Sequence, residues 1–204
     1  MTDAGDPCDE DDESPSTRRL KFCRPAMSDA AELARLADNP KVAANISMMP
    51  HPYRRSDAEA WIARCGALSA GEAAFLLRDR TGRLVGGAGA ARQEDSAEPE
   101  IGCWIGEPFW GSGLGTEAAQ GLIDHLFRVH RPVAVWAACR VTNAASRRVI
   151  EKCGFQWAGT GLKQSRALGG MMAVERYRLE RRSWVAIKAW AGAGLPGHAG
   201  GVRP

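Results

Sequence analysis

Residues 110–127, WGSGLGTEAAQGLIDHLF, place three glycines at alternate positions directly before a stretch of helix-forming residues. Glycine has no Cβ and adopts positive φ at little cost, so a ligand can approach its backbone closely. The first amides of a helix have no partner within that helix, and the helix dipole favours negative charge beside them. The segment therefore predicts an anion-binding loop at a helix N-terminus, and a diphosphate is a suitable anion.

Two common nucleotide-binding loops do not fit this spacing. A P-loop requires Lys and then Ser or Thr after its last glycine, whereas Thr116 follows Gly115 directly. The dinucleotide fingerprint requires GxGxxG and an acid at the end of the next strand, whereas the spacing here is GxGxG and that strand ends at Cys139 and Arg140. Both nucleotide loops are excluded, and a glycine loop with a purely structural role stays open.

The glycine loop lies within a series of strand-like and helix-like segments. Seven segments have strand character, at residues 19–25, 73–79, 83–92, 100–106, 133–139, 155–164 and 171–184. Four have helical spacing or caps, at residues 28–38, 56–68, 116–130 and 143–155. Their order, β-α-α-β-β-β-α-β-α-β-β, predicts an α/β fold of the α+β type, with helices on both faces of one mixed sheet.

The composition suits one folded domain with two tails. The 204 residues are 45% hydrophobic and 25% charged, and the domain is predicted over residues 18–187. Residues 1–17 are acidic and have no hydrophobic pattern, so a disordered tail is expected there. Residues 188–204 are rich in glycine and proline, which predicts a second, flexible tail.

The composition also argues against several classes of protein. No apolar run reaches the roughly 18 residues that span a bilayer, and the acidic N-terminus is no targeting peptide, so a cytoplasmic protein without membrane contact is expected. The six cysteines and four histidines show no zinc spacing, so no metal site is predicted. The basic body suits an anionic ligand, but no basic helix offers groove-reading residues, so no nucleic-acid partner is expected.

Residues 100–127, EIGCWIGEPFWGSGLGTEAAQGLIDHLF, resemble the acyl-CoA loop of the GNAT family of N-acetyltransferases. Gly113 and Gly115 correspond to the fixed glycines of that loop, and Trp110 stands where the general family has Gln or Arg. A second motif, NAASRRVIEKCGF at residues 143–155, follows at the expected distance. Together they resemble the subgroup of ribosomal-protein N-terminal acetyltransferases, the RimJ/RimL-like enzymes, over about residues 18–184.

The resemblance implies the GNAT fold, in which the fourth and fifth strands splay apart and hold acetyl-CoA, the donor substrate. The diphosphate would rest on the loop amides, and the pantetheine arm would pair with the strand before the loop. The residues predicted to bind acetyl-CoA are Trp104, Ile105, Trp110, Gly111, Ser112, Gly113, Leu114, Gly115, Thr116, Asn143 and Ser146. A simpler role stays open for the last two, with Asn143 as a helix cap and Ser146 as a small packing residue.

The reaction that the resemblance implies is direct attack of a neutral amine on the thioester. Glu100 is the candidate base, acting directly or through water, and Ser146 is a candidate acid for the leaving thiolate. Tyr177 is a lesser candidate acid. A backbone amide near Ile105 or Gly106 would stabilise the oxyanion. Simpler roles are a solvated strand-end carboxylate for Glu100 and a core aromatic for Tyr177.

The predicted function is acetyl-CoA-dependent N-acetylation of a primary amine, with a protein N-terminal α-amine as the leading acceptor. A small-molecule amine, such as an amino acid or an antibiotic, is the alternative, and a non-catalytic acyl-CoA-binding module is another. The connector at residues 44–54 and the last two strands are expected to form an acceptor wall that includes Met48, Met49, His51, Tyr53, Arg54, Arg166 and Met171. This wall is not visibly acidic, which disfavours a polycationic acceptor. The chain is expected to be a monomer or a homodimer.

Overall fold

The computed structural model describes residues 14–69, 71–93 and 96–192, and these contain one seven-stranded sheet. Its strands are β1 (Leu20–Cys23), β2 (Ala73–Asp79), β3 (Leu84–Gln93), β4 (Ser96–Ile105), β5 (Ala134–Arg140), β6 (Gln156–Ser165) and β7 (Gly170–Glu180). They are arranged in the order β1-β2-β3-β4-β5-β7-β6, and all neighbours are antiparallel except β4 and β5. A parallel pair requires a crossover connection, and a helix supplies it here.

Six helices lie between or after these strands in the described residues. They are α1 (Ala30–Ala37), α2 (Pro40–Ala43), α3 (Arg55–Cys65), α4 (Leu114–Val129), α5 (Ala144–Lys152) and α6 (Arg181–Gly192). Short 3₁₀ turns lie at Met27–Asp29 and Glu107–Phe109. The order of elements confirms the predicted fold class, and α2 and α6 are additions to it.

Two hydrophobic cores lie on opposite faces of the sheet. The larger core packs α4 and α5 against all strands but β6, and its fully buried side chains include Leu122, Phe127 and Val135. The smaller core packs α1, α2 and α3 against Leu76 of β2 and Leu84 of β3. Since the smaller core does not reach β5 or β7, that face of these strands carries no helix in the part of the chain described.

The prediction of a strand over residues 171–184 is wrong at its end. β7 ends at Glu180, and the chain continues as α6. Trp184 Nε1 and Lys188 Nζ donate to the two carboxylate oxygens of Asp124 on α4, at 2.8 and 2.6 Å. Residues four apart share one face of a helix, so both can reach the same partner only if this segment is helical. The helix runs past the predicted domain boundary at residue 187.

Part of the predicted N-terminal tail packs on the domain. The Phe22 amide donates to the Pro15 carbonyl at 3.2 Å, and the Thr17 hydroxyl donates to Glu117 of α4 at 2.6 Å. Residues 14–17 are therefore ordered against β1 and α4 and do not form a disordered tail. The predictions for residues 1–13 and 193–204 fall outside the described residues.

Candidate active site

A V-shaped opening separates β4 from β5. The two strands pair only at Glu100 with Trp136 and at Ile101 with Ala137. Beyond these pairs β4 continues to Ile105 and β5 to Arg140 without pairing with each other, so each strand presents a free edge to the opening between them. This is the splay that the sequence resemblance implies for the cofactor.

The free edge of β4 offers a backbone donor near its end. The Gly106 amide is not that donor, because it bonds to the Val85 carbonyl of β3 at 2.9 Å. Successive amides of a strand point to opposite sides, so the Ile105 amide points into the V. The Ile105 carbonyl already accepts a hydrogen bond from Trp110 Nε1 at 2.6 Å. Of the two amides predicted as oxyanion donors, Ile105 is therefore the one that points into the V. It lies five residues along β4 from Glu100, roughly 16 Å at about 3.3 Å per residue, which is too far for the Ile105 amide and the Glu100 carboxylate to act on one reacting group.

The glycine loop follows this edge and presents a run of free amides. Gly111 and Gly113 have φ values of +75° and +79°, in the left-handed region that favours glycine, and Gly113 is the N-cap of α4. Within the described residues, no backbone amide from position 111 to 116 donates a hydrogen bond. Six successive amides at a helix N-terminus form a cradle that fits a diphosphate.

Arg19 holds this loop in place, a role that the sequence patterns did not reveal. Its Nε donates to Glu117 at 2.6 Å, and its Nη1 donates to the Ser112 carbonyl at 2.8 Å. Although burial raises the pKa of Glu117, hydrogen bonds from Thr17 and Arg19 lower it overall. The start of β1 is thereby fixed to the first turn of α4, and a guanidinium lies beside the cradle.

Helix α5 brings Asn143 and Ser146 toward the glycine loop. Asn143 is the N-cap of α5, and its Oδ1 accepts the Ser146 amide at 3.0 Å. A Cβ placed on Gly115 would lie 3.8 Å from Val149 of α5 and 3.9 Å from Ile105 of β4. Loop, helix and free strand edge therefore converge at Gly115. The Asn143 amide nitrogen and the Ser146 hydroxyl donate to no group among the residues described.

Tyr177 lies in the larger core, next to a network that anchors α5. Glu175 accepts two bonds from Arg147 of α5, at 2.7 and 2.8 Å, and one from the Tyr177 hydroxyl at 3.0 Å. Tyr177 is only 4% exposed, and burial, followed by the neighbouring Glu175, raises its pKa to about 12. The phenol is therefore neutral near pH 7, and its proton is directed at Glu175 rather than into the V.

Glu100 lies at the base of the V, on the face without a helix. We call this surface of β4, β5 and β7 the open face; it carries Glu98, Glu100, Trp136, Arg176 and Arg178. The Glu100 carboxylate accepts a hydrogen bond from Lys163 Nζ of β6, and only 19% of its side chain is exposed. The candidate base is thus a half-buried, ion-paired carboxylate rather than a solvated strand end.

A second carboxylate on the open face is also paired. Glu98 accepts from Arg178 Nε at 2.9 Å and from Trp136 Nε1 at 2.7 Å. The Arg178 bond is the main reason that the pKa of Glu98 is lowered, and the Trp136 bond adds to it. Arg176 lies over the Trp136 ring, with its Cζ 4.8 Å from the ring centroid. Every carboxylate of the open face therefore has a cationic partner.

Two residues of the predicted acceptor wall do not fit it. Met49 and Tyr53 are buried in the smaller core, so they do not form a wall, and the periodicity of this connector gave no sign of that burial. Met48 and Met171 are exposed. The Arg166 amide donates to the Ser47 carbonyl at 2.9 Å, so the β6–β7 hairpin touches the α2–α3 connector.

Comparison with known proteins agrees with this architecture. The family model described as the acetyltransferase (GNAT) domain matches residues 19–156, more than half of the chain. The chain belongs to the GNAT acetyltransferase family. It is an acetyltransferase, and GNAT enzymes take the acetyl group from acetyl-CoA.

Several relatives of this GNAT domain resemble it over most of its length. The N-acetyltransferase p20 of Bacillus licheniformis is 25% identical over 82% of this chain and 96% of its own. The structure of RimL, a ribosomal alpha-N-protein acetyltransferase in complex with coenzyme A, is 19% identical, with a TM-score of 0.71 over 81% of this chain and 96% of its own. Spermidine N-acetyltransferase from Vibrio cholerae, in complex with CoA and spermine, is 17% identical, with a TM-score of 0.70 over 83% and 99%. These structures share the fold, and their acceptors differ.

The described residues contain neither a membrane-spanning helix nor a cluster of metal-ligating side chains. No helix there is long and apolar enough to cross a membrane. No group of three or more histidine, cysteine, aspartate or glutamate side chains in residues 14–69, 71–93 and 96–192 could hold a metal ion.

Proposed function

We propose that this GNAT domain transfers the acetyl group of acetyl-CoA to the α-amine of a peptide or protein N-terminus. The observation that carries the proposal is the open face beside the V. It offers a surface that no helix covers among the described residues, in which both carboxylates, Glu98 and Glu100, are already paired with Arg178 and Lys163. A surface of this kind suits a peptide with one reactive amine better than a polycation.

The donor half of the site would use the backbone for binding. The amides at positions 111–116 have no other partner among the described residues and would bind the diphosphate. The free edge of β4, with Trp104 and Ile105, would pair with the pantetheine arm as an added strand does. The Asn143 amide nitrogen and the Ser146 hydroxyl, which donate to no group in the part of the chain described, lie on the adjoining helix and would contact the same arm.

The catalytic half would remove one proton from the amine and supply one to the sulfur. Glu100 would take the proton of the acceptor ammonium, directly or through a water molecule, since a neutral amine is the nucleophile. A backbone amide on the free edge of β4 would donate to the oxyanion of the tetrahedral intermediate. Ser146, whose hydroxyl donates to no described residue, would be the better donor to the departing thiolate. Tyr177, buried and bonded to Glu175, would act on α5 through that network instead.

Charge favours an N-terminal α-amine over a polyamine acceptor. Arg140 and Arg176 of the open face and the exposed Arg166 of the β6–β7 hairpin would repel a polycation. An α-amine also has a lower pKa than a lysine side chain, so more of it is neutral at pH 7. The RimL structure that shares this fold is a ribosomal alpha-N-protein acetyltransferase, which is consistent with the proposal.

A thiol-release assay with acetyl-CoA and paired acceptors tests the proposal. Peptides with a free N-terminus and the same peptides with a blocked N-terminus but a free lysine would be compared with free amino acids, antibiotic amines and spermidine. We expect turnover of the free N-termini, and faster turnover when the second residue is glutamate than when it is lysine. Preference for spermidine or for an antibiotic amine would overturn the acceptor assignment. Tight acetyl-CoA binding without turnover of any amine would favour a non-catalytic binding module.

A further inference from the structure

Lys163 brings a primary amine of the chain itself to the candidate base. In the sheet order β4-β5-β7-β6, two strands separate Lys163 from Glu100, yet Lys163 Nζ donates to Glu100 Oε1. In a flat sheet these residues would lie about three strand spacings apart, roughly 14 Å, so the pair indicates that the end of the β6–β7 hairpin curls over the open face. The amine therefore approaches Glu100 from the side on which an acceptor amine would arrive.

The curled hairpin is held firmly in this position. The Arg166 amide donates to the Ser47 carbonyl at 2.9 Å, and Ala167 packs against the smaller core. Ser165, two residues after Lys163, is fully buried, and its hydroxyl accepts the Leu168 amide at 3.3 Å. Only 30% of the Lys163 side chain is exposed. The fold of the hairpin therefore directs the Lys163 ammonium at the Glu100 carboxylate.

We propose that the chain acetylates its own Lys163. The proposal rests on the proposed function, because acetyl-CoA must lie in the V with Glu100 at its base. Holding a nucleophile beside the reacting centre makes the step intramolecular, which accelerates it strongly. Lys188 is the matched comparison: it also pairs with a carboxylate, Asp124, but on the far side of the sheet between α4 and α6.

The step balances with the groups already present. Glu100 accepts one proton from the Lys163 ammonium, and the neutral nitrogen attacks the thioester carbonyl carbon. A C–N bond forms, the C–S bond breaks, and the nitrogen loses its second proton as coenzyme A departs. One proton ends on the CoA thiol and one in solvent, so the products are Nε-acetyllysine and free CoA. The product has no charge, so Glu100 then loses its cationic partner.

Isotope-labelled acetyl-CoA and intact-mass spectrometry of the full chain test the proposal. We expect one labelled acetyl group per chain, located at Lys163 by peptide mapping, with a first-order rate that does not depend on protein concentration. Lys163→Arg keeps a cation for Glu100 and should abolish the labelling, whereas Lys188→Arg should leave it unchanged. Thermal melts of both variants would report whether each is folded.

Three results would overturn the proposal. They are an unlabelled Lys163 in a chain that turns over added peptides, equal labelling of Lys163 and Lys188, and a labelling rate that rises with protein concentration. The first of these leaves the proposed acetyltransferase function intact. Loss of acetyl-CoA binding in calorimetry, together with no CoA release with any amine, would instead remove the proposed function as well.

Discussion

Replacing Arg19 by alanine tests whether the glycine loop is held ready for its anion. The substitution removes the bond to Glu117 at 2.6 Å and the bond to the Ser112 carbonyl at 2.8 Å. A hydrogen bond to a charged group contributes about 1.5–3 kcal/mol. The Arg19 side chain is 38% exposed, so solvent screening reduces the ion pair to about 1 kcal/mol or less. The two bonds together should contribute about 1–2 kcal/mol to the order of the loop.

If that order is required for the cradle, the loss appears in donor binding. A cost of about 1–2 kcal/mol weakens the Kd for acetyl-CoA by about 5- to 30-fold. Isothermal calorimetry measures this Kd, and steady-state kinetics should show a raised KM for acetyl-CoA with little change in kcat. Arg18→Ala is the control, because Arg18 is an exposed neighbour whose side chain forms no hydrogen bond or ion pair with the loop among the described residues. An acetyl-CoA Kd that changes less than twofold while the protein loses stability would refute the reasoning.

Three further variants probe the loop, the base and the open face. Gly113→Ala should weaken acetyl-CoA binding by calorimetry, since a φ of +79° costs an L-residue roughly 1–2 kcal/mol, whereas Gly170→Ala should not. Glu100→Gln should lower kcat about 100-fold without changing the acetyl-CoA Kd, because an amide keeps the bond from Lys163 but takes no proton. The pKa of Glu98 is lowered below 4.5, so its stabilisation is complete above pH 4.5 and is lost as the pH falls through the lower folded value. Urea denaturation of Glu98→Gln should therefore show a flatter decline than the parent at acid pH; parallel curves would contradict the assignment.

The elements that the sequence predicts well are those set by local chemistry. The strands and the helices α1, α3, α4 and α5 follow from hydrophobic spacing, caps and turn residues within each segment. The glycine loop is predictable for the same reason, since positive φ at Gly111 and Gly113 and the free amides of α4 depend only on neighbouring residues. Residues 181–184 are helical rather than part of a strand, and Trp184 of this helix donates to Asp124, a partner 60 positions away.

The groups that the sequence did not reveal act through distant partners. Arg19 and Glu117 are 98 positions apart, and Lys163 and Glu100 are 63 apart. Neither pair has a spacing that a single sequence could display, because the sheet order brings them together. Glu100 itself is predicted as the candidate base, but its ion pair with Lys163 is not. In the structure its carboxylate is half-buried and ion-paired, whereas the simpler alternative was a solvated strand end.

The donor and acceptor halves of the proposed site differ in how they would respond to substitutions. In the proposed site the donor half would be formed by backbone amides, which present the same groups whatever the side chains are. The acceptor half would be formed by side chains on β4, β5 and β7 and by the β6–β7 hairpin, whose Arg166 amide bonds to the Ser47 carbonyl of the α2–α3 connector. Substitutions in the hairpin can therefore change the acceptor while leaving acetyl-CoA binding intact. Proteins with this fold whose acceptors differ, such as a ribosomal alpha-N-protein acetyltransferase and a spermidine acetyltransferase, should differ most in this hairpin and least in the glycine loop.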